Sequence, residues 1–471
     1  MDRTNAGWYD VRGFGARGTG AVKDTAALQA ALDACTAAGG GVVFVPPGQY
    51  LTGTLWLKSR TELHLAPGAV LKGSPERADY NADDAFPENQ AFARENVTGA
   101  HLLIARDADE VAIRGHGTID GASAQFFGEL PAERVTSSYR HKACNFPIRD
   151  WRPGQMVFFC GCRRVSVQDV RLLNAPYWSL FCLGCEDVAI RGLTIVNPPQ
   201  TANGDGVDID GCRNVTISDC RIASGDDCIA VRGNPGRLAV SRPCEKVVVS
   251  NCVLSTPCNA IRVGVGDGEV GRCAFANLVI AEARTAINMV CRYSDASEHG
   301  TWIHDISFAN LVVDAVLPLQ VTGGQEPQPP AGIEGIRLAG FVVRGAAGLY
   351  IGGSARRPLR GFSLTDWDLR LSGGTDNEEY VGEPPSPFPL HGAPGLDGGP
   401  ALPCALLLDQ VEDFRLTDVR LHWDPPLGRV WRDALVVRDA SGVRVQNSAL
   451  PAARSDGASV RRIRSREVVV V

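Results

Sequence analysis

Along most of its length the chain alternates apolar and polar residues at period two, in runs of five to seven closed by polar or glycine turns. The runs align as "VAIRGHGTIDG" from Val111, "VSVQDVRLLN" from Val165, "VAIRGLTIVN" from Val188 and "VTISDCRIAS" from Val215. They continue as "VVVSNCVLST" from Val247, "CAFANLVIAE" from Cys273, "ISFANLVVDA" from Ile306, "IRLAGFVVRG" from Ile336, "FSLTDWDLRL" from Phe362, "FRLTDVRLHW" from Phe414 and "VRVQNSALPA" from Val443. Between Val165 and Phe362 the starts are separated by roughly 23 to 33 residues, a solenoid period. The runs are too short and too strictly alternating for helices, which excludes helical repeats. The pattern predicts an all-β fold, a right-handed parallel β-helix whose coils stack about 4.8 Å apart. Asparagines in "SNC" and "FANL" recur at the bends, where side-chain amides can bond the turn backbone.

The exception to the alternation is "DTAALQAALDAC", residues 24–35, which predicts an amphipathic helix capping the N-terminal end of the coil. The chain therefore reads as one β-helix domain over residues 1–471. Its cap and first strands run to about residue 75, its coils to about 450, and a tail follows. Insertions at 75–98, 125–155 and 372–402 are polar or rich in Pro and Gly and are expected as loops over one side of the solenoid.

A net charge of -6 with mixed signs gives no broad basic footprint, so no nucleic-acid partner is expected. The run "RRIRSR", residues 461–466, reads as a solvated terminus. No apolar run approaches the roughly 18 to 20 residues of a membrane span. The start, "MDRTNAGWYD", lacks a signal-peptide layout. The expectation is a cytoplasmic protein as written, or a secreted or periplasmic one if an export segment was removed. The fifteen cysteines cluster mid-chain inside strand-like runs and read as packed, reduced thiols. "CGC" and "CLGC" lack paired zinc-site spacing.

The chemistry concentrates in "NGDGVDIDGCRNVTISDCRIASGDDCIAVRGN", residues 203–234. Asp205, Asp208, Asp210, Asp226 and Asp227 interrupt apolar alternation, where an uncompensated carboxylate is costly. Asp205 and Asp226 are about one short coil apart, which places them on adjacent rungs or one diagonal further, with Asp227 beside them. Mutual repulsion disfavours ionising all three and keeps a proton available. A protonated carboxyl beside ionised partners suits glycosidic cleavage. Asp208 and Asp210 follow at period two and read as turn or supporting residues, and Asp219 as a turn residue.

"NGDGVDID" followed by "SGDDCIAVR" resembles the N-T-D and G-D-D motifs of glycoside hydrolase family 28, the polygalacturonases and their relatives, with Gly204 in place of the usual Thr. "GHGTIDG" at 115–121, "NAPYWSL" at 174–180 and "LYIGG" near residue 350 are similar to bacterial members. The resemblance implies a right-handed parallel β-helix. It implies Asp226 as the general acid and Asp205 with Asp227 as holders of the attacking water, without metal or cofactor. The family's G-H-G and R-I-K motifs are not matched. His116 lies before the acids, in a strand turn. At the expected place "STPCNAIRVG", residues 255–264, puts Cys258 or Asn259 where the histidine stands. In "RTAINMV", residues 284–290, Asn288 and Val290 replace the uronate-binding arginine and lysine.

Arg262 and Arg292 could supply a cation from displaced positions; otherwise the adjacent sugar is neutral, as with rhamnose. Asn203, Asn259, Arg262, Asn288, Arg292 and Trp178 are the substrate-binding candidates. For Trp178 and Tyr177, stacking on a pyranose and core packing stand equal. Arg140, His141, Lys142 and Trp151 lie in a segment without strand alternation, a candidate rim loop. The expected activity is acid/base hydrolysis, by inversion, of a pectic or related saccharide. A calcium-dependent β-helix lyase with Arg262 as base and a non-catalytic glycan-binding β-helix are the alternatives.

Overall fold

The computed structural model describes residues 7–140, 142, 144–293, 297–324, 327–372, 404–425, 427 and 431–471. The expected 372–402 insertion and His141 therefore lie outside the described residues, except for Ser372. The chain forms two compact units. The first comprises Met1–Ser137, Cys144–Ile229 and Arg237–Arg242, and the second Ser138–Ala143, Ala230–Gly236 and Pro243–Val471.

In the first unit each coil contributes one short strand to each of three parallel sheets. One sheet stacks Leu55–Leu57, Leu103–Arg106, Val157–Cys160, Leu180–Leu183 and Val207–Asp210. A second stacks Gly41–Val45, Thr61–Leu65, Asp109–Gly115, Arg163–Gln168, Glu186–Arg191 and Arg213–Ser218. A third stacks Gly48–Thr52, Ala69–Gly73, Thr118–Asp120, Arg171–Leu173, Thr194–Val196 and Arg221–Ala223. This is the right-handed parallel β-helix expected from the sequence, its hand following from the usual sense of parallel crossovers. The aligned run starts fall in register: Val111 pairs with Val165, Val165 with Val188 and Val188 with Val215.

Alternation explains the core. Val165 and Val167 point inward with Val188 and Ile190, all buried, while Ser166 and Gln168 point out. Each bend needs a left-handed residue, and Asp169, Asn174 and Asp219 supply it with φ of 61, 51 and 59°. Asn and Asp tolerate that region through local side-chain bonding. The helix Thr25–Ala37 turns Leu28, Ala31, Leu32 and Cys35 onto the first coils. The outer face of the first sheet is covered rather than wet. Phe86 and Val97, from the 75–98 insertion, join Ile104, Phe158, Phe181, Tyr177 and Trp178 in one cluster, with Phe158 stacked on Phe181 at 5.1 Å.

The second unit repeats the register: Cys273 pairs with Ile306, Ile306 with Ile336, Ile336 with Phe362, Phe362 with Phe414 and Phe414 with Val443. Its strands run on through their bends, as in Glu269–Arg292 and Trp302–Gly324. At those bends Asn251, Asn277 and Asn310 are left-handed and bond one another rung to rung at 3.4 and 3.3 Å. Aromatic pairs stack inside, Phe275 on Phe308 at 4.6 Å and Phe341 on Trp367 at 4.1 Å.

None of the fifteen cysteines is bridged, and all but Cys144 and Cys258 are buried, as packed thiols would be. Burial pushes the Cys273 and Cys291 thiols up to about 12. Among the described residues no helix is long and apolar enough to cross a membrane.

Trp367 is fully buried, stacked on Phe341, and donates its indole N–H to Leu338 O at 3.2 Å. Trp367→Ala is expected to cost about 3 to 5 kcal/mol, through lost contact and the cavity left behind. Urea unfolding checks this; an unchanged midpoint would contradict the packing described.

Candidate active site

The acids sit where two successive coils of the first unit meet. Gly206 N donates to Asp227 O and Val207 N to Cys228 O, both at 2.9 Å. In a parallel ladder these bonds place Asp205 and Asp227 directly opposite one another on neighbouring rungs, about 4.8 Å apart along the stack. Asp226 is then the diagonal neighbour of Asp205, the further of the two placements the spacing allowed. The preceding rung carries Trp178, because Leu180 pairs with Val207 in the same ladder.

Asp205, Asp208, Asp210 and Asp227 are buried and Asp226 is half-exposed. Asp208 and Asp210 alternate with the inward Val207 and Ile209 and so share the outer face of the sheet. Their rung partners are Phe181 and Leu183, so the covered outer face changes from apolar to acidic within one coil.

Glycines let the coils close here. A Cβ on Gly225 would stand 2.5 Å from Thr201 O and 2.8 Å from Pro198 O, and one on Gly206 2.4 Å from Cys228 O. At Gly204 a Cβ would stand 2.9 Å from Thr201 Cγ2. The buried Thr201 thus occupies the space that the family's usual Thr would need. Ser224 Oγ donates to Asp226 O at 2.6 Å, and Asn197 Nδ2 donates to Ser179 Oγ and Gly204 O at 2.9 and 3.0 Å. The backbone on both sides of the acids is therefore tied by side chains.

The residue that sequence reasoning missed is Arg152. Fully buried, its guanidinium donates to Ala202 O at 2.6 Å, Pro176 O at 3.1 Å, Glu95 O at 2.7 Å and Asn203 Oδ1 at 2.8 Å. It also lies 4.9 Å from the centroid of the Tyr177 ring, and the Tyr177 hydroxyl bonds the Glu95 carboxylate. Burial pushes the Arg152 pKa down, while Tyr177, Glu95, Asp205 and Asp226 act to hold it up. It stays charged, as arginine does in proteins. The only advance signal was an arginine next to Trp151 in a segment without alternation.

Asn203 is left-handed, with φ of 51°, and its amide oxygen accepts from Arg152. Trp178 is 6 % exposed, stacked on Tyr177 at 5.1 Å and edge-on to Phe181. Of its two readings, core packing is the one its surroundings match. His116 is exposed in the turn after Asp109–Gly115, as expected. Trp151 packs edge-on against Phe126 at 4.9 Å and Tyr80 at 5.7 Å, and Arg140, in the second unit, pairs with Asp314. Asp226 and Asp227 bring carboxylate oxygens within 4.8 Å of one another.

The remaining candidates belong to the second unit. Asn288 Nδ2 donates to Asn259 Oδ1 at 2.9 Å, and both are buried. Arg262, Asn288 and Gln320 occupy one column on successive rungs. Arg262 is 8 % exposed, with its guanidinium 5.1 Å from the Tyr293 ring. Arg292 Nε donates to Ser297 O at 2.9 Å. Where the resemblance puts an arginine and a lysine, this chain has Asn288 and Val290, with Arg262 beside Asn288 on the preceding rung.

Residues 85–244, which include all five aspartates, match the profile of glycosyl hydrolases family 28. The chain is 27 % identical over 256 residues to a probable polygalacturonase of Vitis vinifera, covering 53 % of this chain and 49 % of that protein. It is 22 % identical over 279 residues to an exopolygalacturonase of Platanus acerifolia, covering 54 % of this chain and 66 % of that one. The chain thus spans about half to two thirds of the length of these curated relatives. A hyperthermoactive exopolygalacturonase of Thermotoga maritima superposes with a TM-score of 0.62 at 22 % identity, over 77 % of this chain and 87 % of that one, a likeness of fold.

Arg152→Met removes donors from buried carbonyls that have no solvent to replace them. It is expected to destabilise the protein by about 3 kcal/mol or more. Arg152→Lys keeps the charge without the planar fork and should recover only part of that. Denaturant unfolding of both variants checks the assignment; wild-type stability in Arg152→Met would contradict it.

Proposed function

We infer that this chain, whose residues 85–244 match the profile of glycosyl hydrolases family 28, hydrolyses a glycosidic bond in a pectic or related saccharide with Asp226 as general acid. The observation that carries this reading is the placement of Asp205 opposite Asp227, with Asp226 diagonal to the first and adjacent to the second. Asp226, the most exposed of the three, protonates the leaving oxygen. Asp205 and Asp227 bind a water and draw its proton as it attacks the anomeric carbon of an oxocarbenium-like transition state. A facing pair about 4.8 Å apart is too close to leave room for water between acid and base, whereas the diagonal is longer. The acid Asp226 and the base Asp205 stand on that longer diagonal, which favours inversion with the attacking water between them. Arg152 acts through Asn203 and the Pro176 and Ala202 carbonyls, fixing the loop from which Asp205 projects.

Asn288 and Val290, at the sequence positions where the resemblance puts the uronate-binding arginine and lysine, support a neutral sugar, such as rhamnose, as the unit recognised. Amides give neutral hydrogen bonds to hydroxyls, whereas a uronate would call for charge-assisted ones, roughly twice as strong.

Asp226→Asn is nearly isosteric and should fold as the wild type while losing about 10²- to 10⁴-fold in activity. Release of reducing ends from homogalacturonan, rhamnogalacturonan and their oligomers, with and without a chelator, tests the reading. Chelator-resistant release lost in the variant is the expected result. Undiminished release would remove Asp226 from its role, and a chelator-sensitive, ultraviolet-absorbing unsaturated product would point to a lyase.

A further inference from the structure

The second unit carries an aromatic groove that the acid chemistry does not use. Its volume is about 260 Å³, and its walls include Trp302, Gly332, Arg356, Arg357 and Arg360. Trp302 is held rigidly from beneath and at its edge. Its ring stacks on His304 at 4.0 Å, and its indole N–H donates to Glu334 Oε1 at 3.1 Å. His304 is fixed in turn, with Nε2 3.0 Å from Glu269 and Nδ1 2.9 Å from Asp305. Its ring fits because the preceding rung offers Gly271, where a Cβ would lie 2.4 Å from His304 Nε2.

On the following rung the neighbour of Trp302 is Gly332, and a Cβ there would meet nothing within 4 Å. The indole is therefore supported on one side and left with open space toward the next coil. Three arginines stand at that space. Arg360 pairs with Glu412 at 2.8 Å, while Arg356 and Arg357 have no carboxylate partner among the described residues.

We propose that this groove binds a carboxylated sugar, its pyranose ring on Trp302 and its carboxylate on Arg356 and Arg357. An immobilised indole presents a large apolar face at little cost in side-chain entropy. A guanidinium fork matches a carboxylate in geometry and charge. The proposal concerns binding without turnover and does not rest on the hydrolase reading.

The test is 19F NMR of the full chain labelled with 5-fluorotryptophan, the Trp302 resonance being identified by its loss in Trp302→Phe. The probes are a trimer of galacturonic acid and the neutral galactose trimer, titrated in an Asp226→Asn background to prevent turnover. The acidic trimer is expected to shift the Trp302 resonance saturably. Combined Arg356→Gln and Arg357→Gln should weaken that response roughly tenfold or more. Gly332→Leu, which adds a side chain into open space and removes no contact, should abolish it. An unmoved Trp302 resonance, an equal response to the neutral trimer, or unaltered binding in Gly332→Leu would overturn the proposal.

Discussion

Everything in this protein hangs on the parallel main-chain ladder between successive coils. Once Leu180 pairs with Val207, and Val207 N bonds Cys228 O, the side chains of a whole column are placed without further choice. A one-residue slip would turn inward valines outward and acids inward, a cost borne by every rung at once. The acids are therefore held by a register that the large apolar core enforces. That lets carboxylates sit together in a partly covered place where an isolated chain would keep them apart.

The local electrostatics follow from that placement. The covered outer face runs from Phe158 and Phe181 to Asp208 in one column, so the acids border an apolar wall. Arg152 offsets part of their charge, and its five carbonyl and amide acceptors convert that charge into positional rigidity. Glycines at 204, 206 and 225 are the steric counterpart: the backbone passes too close to Thr201, Pro198 and Cys228 for side chains.

The coils were legible in the sequence because their signal is local. Val165, Val188 and Val215 sit at the same phase of the same alternation, and each bend announces itself with Asn, Asp or Gly. The grouping of Asp205, Asp226 and Asp227 was legible for the same reason, since a coil length is a countable spacing. The side-chain ties were not legible. Arg152 reaches Asn203 across 51 residues of chain, and no periodicity connects a loop arginine to a strand start. Gly204 looked like a departure from a motif, and only the packing of Thr201 accounts for it. Trp178 stood undecided because an aromatic residue beside a site reads alike whether it faces a sugar or Phe181.

The central claim is that this acid cluster, set by the coil register, performs hydrolysis with water entering opposite the acid. The most direct measurement is proton NMR of the anomeric signals during the first minutes of reaction, on the best pectic oligosaccharide and in the presence of a chelator. The account predicts that the newly formed reducing end appears first in the configuration inverted from that of the cleaved bond. A product that first appears with retained configuration, or one carrying an unsaturated sugar, would contradict it.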